Sequence, residues 1–145
     1  MAIIHPLCHT ASIEVDVPAH EAFAFMADGL NQSKWALGSL KRQALGDNLF
    51  SGTSFWDGSI LYVRVESHEE LLLVDYYCGK APESLQHMNS ARIVPRGETR
   101  CMVALTKWHI PGMDEATYIR TAESFETEVW FIKFNLELRF PPLFP

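Results

Sequence analysis

Two neighbouring strand-like runs carry the residues best suited to chemistry: His87 and Asn89 on the first, Lys107 and His109 on the second. An imidazole titrates near neutral pH and a partly dried ammonium can tune it. Such a group would orient a polar ligand head or move a proton in a cyclisation or dehydration. Asp75 would join it only if its side chain turned the same way. Two other clusters offer less. His5-x-x-Cys8-His9 has the thiolate and imidazole types that zinc prefers, but no second half of a tetrahedral set, and it falls in a chain end expected to be loose, so no metal is expected. His68-Glu69-Glu70 lacks a second histidine at helical spacing and reads as solvated. The sequence contains no P-loop, dinucleotide fingerprint or G-x-S-x-G elbow, so neither a cofactor nor a covalent nucleophile is expected.

Elements must bring these residues together. Ile13, Val15 and Val17 alternate with Ser12, Glu14 and Asp16, the period of a strand with one buried face. Pro18 ends that strand and opens a helix whose apolar face is Ala22, Phe23, Phe25 and Met26; Gly29 is its expected stop, and Asn31 is expected to cap a second, shorter helix carrying Trp35. From Gly38 to about His109 the pattern is a meander, with strands expected near 39–46, 50–56, 59–67, 70–78, 85–95 and 99–109. Turn signals stand at Gly46-Asp47-Asn48, Asp57-Gly58 and Arg96-Gly97-Glu98. Tyr118, Ala122, Phe125, Val129, Ile132 and Leu136 recur at spacings of four and three, one stripe of a helix from about 114 to 139, with Asp114 as cap and Pro141-Pro142 as stop. The tail 140–145 is apolar enough to dock on a neighbour or on its own sheet.

At 145 residues, the chain is expected to form a single domain, 1–145. A net charge of −6 with scattered basic residues gives no footprint for nucleic acid. No apolar run approaches the roughly 20 residues that span a bilayer, and the N-terminus reads as no signal peptide, so a cytoplasmic location is expected. Cys8, Cys78 and Cys101, odd in number and far apart, read as reduced thiols.

The order of strand, two short helices, six-stranded meander and long C-terminal helix resembles the START-like, or SRPBCC, superfamily. It looks closest to the polyketide cyclase/dehydrase and lipid-transport branch. The likeness is carried by VDVPAHEAFAFMAD with Trp35, by LGDNLFSGTSF, by ARIVPRGETRCMVALT and by the C-terminal helix, from about residue 10 to 138. One departure is the absence of a proline soon after Trp35; another is the longer loop before residue 85. The resemblance implies an α+β helix-grip fold, a curved antiparallel sheet around the long helix, with lipids, polyketides or other hydrophobic molecules held between the two.

Alternation then nominates a lining. If Ala91 and Ile93 face inward, so do His87 and Asn89, with Cys101, Val103, Leu105, Lys107 and His109 on the next strand. A three-residue loop at 96–98 would set His87 beside Lys107 and Asn89 beside Leu105. A slip of one residue would instead turn Met102, Thr106 and Trp108 inward. Trp35 would cover the open end of the sheet or pack as ordinary core, Tyr62 and Tyr76 or Tyr77 would offer hydroxyls, and Phe125 and Val129 would touch the ligand from the helix or serve as plain core. The expected function is binding or carriage of a hydrophobic small molecule. The alternatives are a cyclase or dehydratase-type lyase using His87, Lys107 or His109, and a protein-interaction module, homodimer included, built on the helix face or on Trp56 and Trp108.

Overall fold

The computed structural model describes residues 3–138. Seven antiparallel strands form one sheet: β1 (Cys8–Val15), β2 (Leu40–Gly46), β3 (Leu49–Thr53), β4 (Ile60–His68), β5 (Leu73–Gly79), β6 (Gln86–Arg96) and β7 (Arg100–Trp108). Their order across the sheet is β1-β7-β6-β5-β4-β3-β2, so the first strand closes the meander at its far edge. Helix α1 (Ala19–Ala27) and a 3-10 helix (Gly29–Lys34) connect β1 to β2, and helix α2 (Glu115–Glu137) lies across the inner face. This is the α+β helix-grip architecture that the order of elements implies. Among the described residues no helix is long and apolar enough to cross a membrane.

The core follows from alternation. Ala91 and Ile93 of β6 and Cys101, Val103 and Leu105 of β7 are buried on the inner face, where the α2 stripe of Ala122, Phe125, Val129 and Ile132 meets them. Asp114 caps α2 by accepting from the Thr117 N–H at 2.7 Å. The expected helix end at Pro141-Pro142 and the tail 140–145 lie outside the described residues. Lys133 and Glu137 tie α2 to β1: Lys133 Nζ donates to the Glu14 carbonyl at 2.8 Å and the Asp16 N–H donates to Glu137 at 2.8 Å.

Several local expectations change. β1 begins at Cys8 rather than Ser12, because Cys8–Trp108 through Val15–Cys101 pair in unbroken register. The His5-x-x-Cys8-His9 cluster is thus built into the fold: His9 faces α2 and bonds Glu126 at 2.9 Å, while His5 Nδ1 accepts from the Leu7 N–H at 3.0 Å. Asp28, not Asn31, caps the 3-10 helix, accepting from the Leu30 N–H at 3.0 Å; Asn31 donates to the Phe25 carbonyl. Gly29 follows the end of α1, but for a reason of packing: a side chain there would overlap the Phe50 ring of β3.

The hairpin that places the site residues differs in two ways. Its loop is Gly97-Glu98-Thr99, with Gly97 at φ 74, which pairs Arg96 with Arg100 and Asn89, not His87, with Lys107. A shift of two residues keeps every side chain on its expected face. Then β6 bulges: Tyr76 pairs with Asn89 but Tyr77 pairs with His87, leaving Met88 as an extra residue. The bulge turns His87 to the outer face, against the inward expectation.

Candidate functional site

Helix α2 leans on β1 and β7, so its N-terminal half stands off from β4 and β5. A cavity of about 260 Å³ lies in that gap. Leu61, Val63, Cys78 and Met88 make an apolar floor, and Gln32 and Trp35 of the 3-10 helix region close the inner end. The helix supplies Phe125 and a second stripe, Thr117, Thr121, Ser124 and Glu128, at spacings of four, three and four. At the mouth, the Arg120 guanidinium sits over the Trp56 ring, 5.1 Å from its centre, joining α2 to the β3–β4 turn.

Two ionisable groups are buried at the inner end, Lys107 and Glu128, each 3% exposed. Burial pushes the Glu128 carboxyl up to about 8, although Ser124, Lys107 and the Leu37 N–H pull the other way. Ser124 Oγ lies 2.7 Å from the Thr121 carbonyl and 2.6 Å from Glu128 Oε2. The hydroxyl donates to both acceptors, sharing its one proton between the Thr121 carbonyl and the Glu128 carboxyl. Burial likewise lowers the Lys107 pKa, while Cys78 and Glu128 hold it up, and it drives the Cys78 thiol up to about 11. Behind this wall Arg42 Nη2 donates to Gln32 Oε1 at 2.6 Å; burial lowers its pKa to about 10. Among the described residues, Trp35 Nε1 and Arg42 Nε and Nη1 are buried without a hydrogen-bond partner.

Of the residues expected from sequence, the structure brings Trp35, Asn89, Lys107 and Phe125 to this cavity. Val103, Leu105 and Val129 are buried in the adjoining core. Tyr76 is fully buried, its hydroxyl donating to the Met26 carbonyl at 2.7 Å and its ring edge-on to Trp35 at 6.0 Å. Of its two readings, Trp35 thus takes core packing, as an inner wall of the cavity and not an outer cover. Tyr62 falls on the outer face, since its neighbour Val63 faces in. His87 also lies outside, between the Tyr77 and Trp108 rings at 4.9 and 4.8 Å, bonded to Asp75 at 3.0 Å. His109 stacks on Tyr118 at 4.6 Å and its Nε2 donates to the Met113 carbonyl at 2.8 Å, away from the cavity lining. Glu128 and the Thr/Ser stripe escaped the sequence reading. The signal was present: that polar stripe runs beside the apolar one, on the same side of the helix.

The fold is like that of a START superfamily protein and of aromatase/cyclases of known structure. The di-domain ARO/CYC BexL from the BE-7585A biosynthetic pathway superposes with a TM-score of 0.71 at 18% identity, over 93% of this chain and 48% of that one. This chain thus spans about half of that di-domain protein. A START superfamily protein from Mycobacterium smegmatis gives 0.70 at 12% identity, over 92% and 99% of the two chains. The Zhui aromatase/cyclase from Streptomyces sp. R1128 gives 0.65 at 15%, over 91% and 94%. At these identities the likeness is one of fold. No protein-family model matches the sequence, and no curated protein is significantly similar to it.

Proposed function

We propose that this protein binds or carries a hydrophobic small molecule, lipid or polyketide-like, in the cavity between the sheet and α2. The observation that carries the reading is the cavity itself: an apolar floor, a polar stripe from α2, and a buried indole N–H with no acceptor. The similar folds of two aromatase/cyclases and a START superfamily protein support it. Purified protein is expected to take up the neutral probe N-phenyl-1-naphthylamine saturably, with one site by fluorescence titration, and to release a bound compound in native mass spectrometry. Neither saturation nor an added mass would overturn the reading.

A second reading, a cyclase or dehydratase-type lyase, is favoured by one observation: a neutral buried carboxyl beside a buried lysine in the same cavity. His87 and His109 lie outside, so the proton-moving roles pass to Glu128, as acid or base, and Lys107, as the charge that stabilises an enolate. Glu128→Gln separates the two readings, since it removes turnover and leaves binding.

A further inference from the structure

We propose that the cavity selects a compact apolar molecule ending in a single carboxylate, with that group seated against Lys107 and the indole N–H of Trp35. The inference rests on the cavity being a ligand site, and it goes further in naming the charge and size of what enters.

The inner end is a wall of donors. Trp35 Nε1 is buried and unpartnered, and an indole can only donate. Gln32 is 2% exposed and its carbonyl is engaged by Arg42, so the group left to offer is its NH2. Lys107 supplies three donors and a charge, and among the described residues no ion pair is formed between it and Glu128. The one carboxyl in the wall is Glu128, which accepts from Ser124 at 2.6 Å and which burial holds toward its neutral form. A neutral acid leaves the ammonium without a full counter-charge. What this wall lacks is an acceptor bearing one negative charge.

Size and valence narrow the class. A dry cavity of about 150 Å³ accepts benzene, so about 260 Å³ suits a bicyclic ring or a chain of similar bulk. A dianionic phosphate would find one lining cation at this end, because Arg42 is turned toward Gln32. A monoanionic, planar carboxylate matches one ammonium and one or two N–H donors.

Three naphthalene probes of equal bulk test this by isothermal titration at pH 7: 2-naphthoate, neutral 2-naphthamide and cationic 2-naphthylmethylamine. The expected order is naphthoate first, by roughly tenfold over the amide, with the amine weakest. Lys107→Met should collapse that preference to within roughly threefold, and Trp35→Phe should weaken naphthoate more than the amide. Lys107→Gln serves if the Met variant does not fold. Equal binding of all three, or an anion preference that survives loss of Lys107, overturns the carboxylate assignment and leaves the cavity reading intact. Failure of all three probes, together with failure of the larger neutral dye, overturns both.

Discussion

A carboxyl with 3% exposure at the base of an apolar cavity makes folding depend on its proton. Glu128 titrates at about 8 in the folded chain against 4.5 for an ordinary glutamate. Below pH 4.5 it is neutral in both states and costs nothing. Between the two values the unfolded chain loses the proton and the folded chain keeps it, so stability falls as pH rises, by roughly 3–5 kcal/mol at pH 8–9. Glutamine mimics the neutral acid in shape and charge, and its amide oxygen can accept as the carboxyl does from Ser124 and the Leu37 N–H. Glu128→Gln is therefore expected to match the parent near pH 4 and to exceed its melting temperature by roughly 5–15 °C at pH 9. Thermal scans across pH check this; parallel curves would show that Glu128 is ionised when folded. Lys107, whose pKa burial lowers, adds an opposite slope, and over a wider pH range in the glutamine variant, where the Glu128 charge no longer holds that pKa up. Lys107 was legible from strand parity, whereas Glu128 was not. A lone acid in a helix is counted as solvated unless its phase is read against a stripe of threonines and serines.

At the scale of elements, one extra residue decides what faces the cavity. Parity along β6 predicts the facing of Asn89, Ala91 and Ile93, and the burial of Ala91 and Ile93 agrees. It fails at His87 because the Met88 bulge consumes a residue without advancing the ladder. No Gly or Pro marks that bulge, so the sequence carried no warning. Gly29 shows the reverse case, a visible residue whose reason was hidden. It reads as a helix stop, yet its function is to let the 3-10 helix approach β3 closely enough to seat Phe50, which in turn sets where Trp35 and Gln32 stand. Gly29→Ala is expected to cost roughly 1–3 kcal/mol in urea denaturation, because the added methyl overlaps the ring. Adding Phe50→Leu should recover part of that cost, a non-additivity that a simple loss of helix-stop geometry would not produce.

Along the whole molecule, α2 divides its work between its two halves. The C-terminal half lays Val129 and Ile132 into the fully buried cluster with Val15, Ile93 and Val103, while the N-terminal half spans the cavity with Thr117, Thr121 and Ser124. A sheet that meets α2 along β1 and β7, and meets α1 rather than α2 along β4 and β5, has a core and a pocket under one helix. The order of elements made this architecture legible; the size of the gap was not, because it depends on how far the helix leans, which hydrophobic periodicity does not encode. Stability and binding should then separate by position. Ile132→Ala is expected to cost roughly 2–5 kcal/mol, since it empties a fully buried site, and to leave probe affinity in the surviving folded protein within roughly threefold. Thr121→Phe puts a ring into space that is already open, so it should shift the unfolding midpoint little, by less than roughly 1 kcal/mol, while abolishing uptake of both the neutral dye and 2-naphthoate. Urea denaturation and probe titration on the same two variants make the comparison. If Thr121→Phe unfolds the chain as severely as Ile132→Ala, the space beneath the N-terminal half is packed core, and the division of the helix fails.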